Sequence, residues 1–404
     1  MNRKKLLKSN RKGSIVGLTL IVLMVLLVMG VGMLSLGLRG RILALRSASE
    51  IAARCAADAG LTKALFEMNE KLKAKPWSDS SLPQAADEAL PNCDAIFSYT
   101  TTGDSSNGFT IESIGSYGWA QKEVNSTLRL KSIFEYAIFA QGAIWLRQGT
   151  TVSRYNFGAG DEPLVVGTNS TTTGAVTMLS GVTVEGDVVV GAGGNPATVI
   201  NSKKEANITG QTYAGAEMCT LPSITVPAAL QALPSGGILS GPNTLTGPAK
   251  YDSINLGAGS KITINGPVSL YITGSINIGN TAQMVIVDAN TNPNASLTMY
   301  VGGNLTTQNG AAINNLTKKP KKLQMYGLDS CTKINLMNAG VLYGVVYAPN
   351  ADVHLYNSFE IYGSVVSKSF VQDVSSNFHY DGSLRNASVN DEFVRFVVKR
   401  WREE

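Results

Sequence analysis

Residues 14–38 are 25 consecutive positions without Asp, Glu, Lys, Arg, His or Pro, and nothing else in the chain limits its fold as much. As a helix rising about 1.5 Å per residue this run reaches roughly 37 Å, enough to cross a hydrocarbon core of about 30 Å. A secretory apolar region is shorter and ends at a small-residue cleavage site, which is not evident here. Ahead of the run, Arg3, Lys4, Lys5, Lys8, Arg11 and Lys12 place six positive charges in 13 residues without one acid. That flank favours a cytoplasmic N-terminus, against the opposing pull of Arg39, Arg41 and Arg46. The expectation is a single membrane span with an exported body.

The leader also distorts the composition. Of 34 basic residues six belong to it, which leaves 28 against 29 acidic residues in the remaining chain. The sequence pI of 8.9 therefore describes the leader rather than the body. With 44% apolar and 16% charged residues the chain is neither disordered nor a nucleic-acid-binding tail, so no nucleic-acid partner is expected. A length of 404 residues calls for at least two structural parts.

The junction reads Arg11-Lys12-Gly13, and the apolar run begins at the next residue, Ser14. This resembles the class III leader of type IV pilins and pseudopilins. The resemblance implies cleavage by a prepilin peptidase after Gly13, a mature chain starting at Ser14, and a helix that first anchors the subunit. The helix would then pack with other pilins or pseudopilins in a filament core. Such proteins usually carry Glu five residues into the mature chain, where it compensates a neighbour's N-terminal amine; here that position is Leu18. Minor pilins of the PilX type and the large tip pseudopilin of type II secretion similarly lack the acid. The resemblance thus implies a minor subunit in the inner (cytoplasmic) membrane, with its body periplasmic or extracellular and incorporated in a surface filament.

Residues 39–75 contain no Pro, and Ala57, Leu61, Leu65, Met68 and Leu72 fall on one helical face. The helix should end before Pro76. The run from Ala52 to Leu61 (AARCAADAGL) resembles the Ala-rich segment behind the membrane helix of PilX-like proteins. A loop with Pro76, Pro83 and Pro91 follows, then strands near 96–102, 109–115 and 124–131, the last with alternating Val124, Ser126, Leu128 and Leu130. A long helix on a small antiparallel sheet is the pilin plan. The expected parts are a leader (1–13), a transmembrane and stalk helix (14–75), and a small α/β head (76–134).

From about residue 136 the texture changes to short β-branched runs separated by Gly, Asn, Ser and Thr, such as Lys261-Ile262-Thr263-Ile264 and Ser275-Ile276-Asn277-Ile278. Around 252–288 strands should start about every 7–9 residues. This spacing predicts a mainly β chain whose body, residues 135–388, is a right-handed parallel β-helix, a solenoid whose stacked coils share one apolar interior. A β-sandwich is the competing fold. Five Pro residues between 203 and 250 mark a loop excursion between two parts of the solenoid. Leu342-Tyr343-Gly344-Val345-Val346, Tyr362-Gly363-Ser364-Val365-Val366 and Phe378-His379-Tyr380-Asp381 resemble the β-solenoid domain found behind PilX-type N-termini. Residues 389–404, with Phe393, Phe396, Val397 and Trp401 on one face, read as an amphipathic helix capping the open solenoid end.

Little in the sequence points to catalysis. Cys55, Cys93, Cys219 and Cys331 form no CxxC pair, so no zinc or redox motif is expected. A Cys55–Cys93 disulfide is one of several pairings open to an exported chain. Asp352, His354, His379 and Asp381 form a metal or acid/base cluster if adjacent coils bring them together, though structural turn roles are the favoured reading. No metal or cofactor is expected. The reading is a non-enzymatic pilin-like subunit whose partners are a prepilin peptidase, other pilins, the inner membrane and a glycan or cell surface. A membrane-anchored surface β-helix outside any filament is one alternative; a polysaccharide lyase or hydrolase on a β-helix is the other.

Overall fold

The computed structural model describes residues 15–158, 160–337 and 340–403. Gly13, Ser14 and the leader cations therefore lie outside the described residues. The chain divides into two compact units: one runs to Arg129 and resumes at Phe396, the other is Leu130–Arg395.

The first unit is built on one helix, α1 (Ile15–Leu72), of 58 residues. Residues 15–48 are all exposed, Ile15 at 79%, and this half of α1 is long and apolar enough to cross a membrane. The other half is amphipathic and buries Ala53, Ala56, Ala57, Gly60, Leu61, Ala64, Met68 and Leu72. Those side chains pack on an antiparallel sheet of β1 (Gln84–Ala89), β2 (Ile96–Asp104), β3 (Gly108–Tyr117), β4 (Ala120–Ser132) and β5 (Val394–Glu403), in that spatial order. The small residues on α1 are required by how closely helix and sheet approach. A Cβ on Gly115 of β3 would stand 2.0 Å from the Ala53 carbonyl oxygen, and one on Gly60 would stand 2.4 Å from Ser113 Oγ. Ser113 Oγ instead donates to the Ala57 carbonyl across 2.7 Å, which satisfies a buried hydroxyl.

Two elements here differ from the sequence reading. Residues 84–89, read as loop, pair with β2 as an edge strand. Residues 389–404 do not form a capping helix: 394–403 are a strand that closes the far edge of the sheet. Val394, Phe396, Val397, Val398 and Trp401 are strand formers, and so short an apolar segment satisfies either periodicity. An available sheet edge decided it. Asn69 of α1 fixes the strand by accepting from Phe396 N–H at 2.8 Å and donating to its carbonyl at 3.2 Å. Phe396 then meets Phe109 and Trp77 edge-on, at 5.2 and 5.8 Å.

The second unit is dominated by parallel pairing. Among the described residues, one sheet has 22 strands and a second has four. Every pairing given for them is parallel, unlike the antiparallel ladders of the competing sandwich. Identical or similar side chains stand in line across consecutive strands. One inward row runs Ala249, Leu270, Met299, Met325, Val346, Val365, Ile138, Val166, Val188. A second runs Leu239, Ile254, Ile276, Leu305, Ile334, Val353, Phe370, Ile144, Val176. Both rows belong to one buried apolar cluster apart from the half-buried Ala249 that packs against it. Corners of the array take left-handed backbone: Gly259, Thr281 and Gly310 have φ of 71°, 59° and 69°. Glycine adopts that region without a Cβ penalty, and Thr281 is the exception.

The order of strands is not the order of the chain. The chain enters the array in its middle at Ile138–Ala140 and Thr151–Tyr155, and works outward to Thr212–Ala214. It re-enters at Ile238–Leu239 and returns until Glu360–Gln372 and Asn377–Asp381 pair with those first strands. The predicted interruption at 203–250 is narrower than expected. Strands of two or three residues lie at 207–208, 212–214, 238–239, 243–245 and 249–251, too short to show a period. Within the remaining connection, Val226 and Leu230 are buried in the apolar cluster.

Candidate functional surface

Inward positions are apolar, so chemistry must come from the outward rows. One of these is aromatic: Tyr271, Tyr300, Tyr326, Tyr347, then Val366, Phe139, Gly167, Val189 and Tyr213. Tyr326 and Tyr347 are buried because Phe393 lies on them, stacked on Tyr347 at 4.2 Å. Burial pushes the Tyr300 hydroxyl up to about 12 and that of Tyr347 higher still. At the other end of this row is a cavity of about 530 Å³. Tyr136, Tyr213, Phe393 and Cys219 line it, and Arg395 faces Glu217 across 3.4 Å at its rim.

The polar residues singled out by sequence do not converge. Asp352 and His354 lie on the strand Val341–Leu355, His379 and Asp381 on Asn377–Asp381. Asp352 accepts from Ser369 Oγ at 2.7 Å. His354 stacks on Tyr356 at 3.8 Å, with Nε2 3.1 Å from Asp373 Oδ2. Arg147 Nε reaches the other oxygen of Asp373 at 2.9 Å, although neither contact is aligned as a hydrogen bond. His379 belongs to a different row, stacked on Tyr362, which is itself stacked on Tyr343, each at 4.4 Å. Its Nδ1 is 2.7 Å from Ser153 Oγ, and burial lowers its pKa against the opposing pull of Glu360 and Glu185. Asp381 is buried and accepts from Asn156 Nδ2 at 3.0 Å and Ser383 N–H at 2.9 Å. Among the described residues no group of three or more His, Cys, Asp or Glu is arranged to hold a metal ion.

The four cysteines are free thiols, so this structure contains no Cys55–Cys93 bridge. Cys55 is exposed and Cys331 fully buried, where desolvation pushes its pKa up to about 11. Burial also raises Cys219, partly offset by Arg395 and Lys131. Since the thiolate is the nucleophile, iodoacetamide at pH 7.5 should label Cys55 first and leave Cys331 at least tenfold slower in the folded chain. Peptide mass spectrometry over a time course measures this, and equal rates at both sites would contradict the burial of Cys331.

Sequence reasoning missed Asp373, which the array sets 3.1 Å from His354, and Arg147, 2.9 Å from Asp373. It also missed the tyrosine row, because the intervals between Tyr271, Tyr300, Tyr326 and Tyr347 vary and give no fixed period.

Residues 244–387 match a family described as a domain of unknown function, DUF7305. No curated protein matches the chain. Among solved structures the chain is similar to the competence-associated pilin ComZ of Thermus thermophilus, at 14% identity over 88% of this chain and 97% of that one, with a TM-score of 0.28. It is also similar to an ice-binding protein from an Antarctic bacterium of the Flavobacteriaceae, at 12% identity over 61% and 80% of the two chains, with a TM-score of 0.20. Both scores are below those of chains that share a whole fold.

Proposed function

We propose that this chain is a pilin-like minor subunit of a type IV pilus or type II secretion-like filament. On this reading it is inserted once in the inner membrane, cut by a prepilin peptidase between Gly13 and Ser14, and assembled with other pilins. Its second unit is then a right-handed β-helix displayed outside the membrane, and the chain is not an enzyme. The observation that carries the reading is the division of α1. Residues 15–38 expose an uninterrupted apolar surface, whereas Ala53–Leu72 on the same helix pack on an antiparallel sheet. An exposed apolar surface of this size requires lipid or neighbouring helices. Leu18 lets the helix sit in apolar surroundings with no carboxylate to desolvate. The parallel rows that share one apolar cluster support the β-helix.

The test is the N-terminus of the protein isolated from membranes, with active prepilin peptidase and with an inactive one. The expected result is a chain beginning at Ser14 only when the peptidase is active. An intact leader in both, or a cut elsewhere, would replace the filament subunit by a tethered surface protein.

A further inference from the structure

A helix that only anchors the chain does not account for the cations that follow the span. After Leu38, α1 reads Arg39-Gly40-Arg41-Ile42-Leu43-Ala44-Leu45-Arg46, and the first acid of the whole chain is Glu50. Arginines at this end oppose the orientation that the leader cations favour, so topology gains nothing from them. Ile42, Leu43 and Leu45, set among them, are all more than half exposed. At about 100° per residue Arg39 and Arg46 share one face of α1 roughly two turns apart, with Arg41 on the opposite side. Among the described residues none of the three forms a salt bridge.

The face that carries Arg46 continues into Ala53, Ala57 and Gly60, which are buried against the sheet of the first unit. At this end of the sheet β3 and β4 are joined by a two-residue turn, Gly118-Trp119, with Tyr117 opposite Ala120. Gly118 has φ of 59°, the left-handed backbone that the first position of such a turn favours. The turn sets Trp119 beside α1, 63% exposed, with the Arg46 guanidinium carbon 5.8 Å from the ring centre. A second pair, Arg54 and Trp401 at 5.7 Å, repeats the contact eight residues further along α1. There the charge is met: Glu403 stands 3.2 Å from Arg54 and 3.7 Å from Lys122. Asp94, just ahead of β2, is a further acid at this end of the sheet, and three arginines outnumber it.

Arg46 stands about 12 Å beyond Leu38 along the helix, and less than that above the membrane once α1 tilts. The interfacial layer outside the hydrocarbon is about 5–7 Å deep, and arginine stems and an indole both reach back toward it. Tryptophan collects in that layer, where one part of the ring is apolar and the other wet. Guanidinium groups without acids, apolar side chains between them and an exposed indole at the same level suit one occupant. Free phosphate would leave Ile42, Leu43, Leu45 and the indole in water, and a neutral lipid would leave the arginines unmet. With its flat face toward the indole, the Arg46 guanidinium keeps its N–H edges for a phosphate.

We propose that Arg39, Arg41, Arg46 and Trp119 form a binding surface for anionic phospholipid in the leaflet at the far end of the span from the leader. Arg39 and Arg46 meet the headgroup phosphate, and the indole lies on the upper part of the acyl chains. This seats the Gly118-Trp119 end of the sheet on lipid. The inference rests on the reading above only in that α1 crosses the membrane.

The experiment places the full-length chain in nanodiscs of equal parts phosphatidylcholine and phosphatidylglycerol. One lipid or the other carries bromines high on its acyl chains, which quench tryptophan on contact. Brominated phosphatidylglycerol should quench about twofold more than brominated phosphatidylcholine, because each arginine near the surface favours the anionic lipid. Trp119→Phe should remove most of this quenching; Trp119 is exposed, so the variant should keep the parent's circular dichroism and melting temperature. Trp401→Phe, at the level of Arg54 and about 24 Å beyond Leu38, should leave the quenching unchanged. Replacing Arg39, Arg41 and Arg46 together by Gln should make the two lipids equal. Equal quenching by the two lipids in the parent, or quenching that survives Trp119→Phe, would overturn the surface. Insertion is read separately, by retention of the chain in the discs on gel filtration. A retained chain without lipid preference removes this proposal alone, whereas a chain that does not enter the discs removes the membrane reading of α1 and this surface with it.

Discussion

A Gly115→Ala chain is expected to lose the packing of α1 on its sheet. The added methyl would stand 2.0 Å from the Ala53 carbonyl oxygen and 2.3 Å from the Ala57 amide nitrogen. These are backbone atoms of a helix, so no side chain can swing aside; either α1 lifts from β3 or the sheet bends. Lifting α1 also breaks the Ser113–Ala57 hydrogen bond and uncovers Ala56, Leu61 and Met68. Overpacking a close-fitted core costs about 1–3 kcal/mol, and more where backbone must move. The loss should therefore reach about 3 kcal/mol or more. Urea unfolding of the detergent-solubilised chain, followed by the near-ultraviolet signal of Trp77 and the neighbouring aromatics, measures it. A midpoint equal to the parent's would show that helix and sheet are not so closely apposed.

Phe378→Ala should destabilise the second unit by about 3–5 kcal/mol, the range for removing a buried phenyl ring. Phe378 is fully buried, pairs with Ile361 on one strand and Val152 on another, and meets Phe370 edge-on at 5.9 Å. Its position gives the substitution a second consequence. Val152 lies on one of the first strands of the array and Phe378 on one of the last, so the cavity opens at the seam between two stretches of chain far apart in sequence. For a unit of this size a loss of that order lowers the melting temperature by about 10 °C. Differential scanning calorimetry of parent and variant decides the matter, and a shift below about 2 °C would place Phe378 outside the shared core.

Several elements were legible because their signal is local. The apolar run needs no partner to declare itself, since its length alone matches a membrane. The strands Lys261–Ile264, Pro267–Ile272 and Ile276–Ile278 were read nearly residue for residue, because one apolar and one solvated side alternate with period two. Sequence named Asp352, His354, His379 and Asp381 together; in the structure Asp352 pairs with Ser369 and His354 faces Asp373. Asp373, which in fact faces His354, follows a different strand, and nothing local distinguishes it from any acid at a turn.

By itself the sequence determined the kinds of element: a 58-residue helix with an apolar first half, short alternating strands, and Gly or Asn corners. Periodicity and backbone preference act within a few residues, so a single chain displays them. Tertiary structure alone decided partners. Residues 394–403 satisfied both periods and became a strand because β4 offered an open edge and Asn69 fixed Phe396 against it. Thr151 meets Asn377, and Trp145 comes two strands from His354, because the array closes on its own middle. Closing long loops adds entropy cost only slowly with length, so sequence distance forbids no such pairing and predicts none. The choice among them rests on which closure buries the aligned rows of Leu, Ile, Val and Phe most completely.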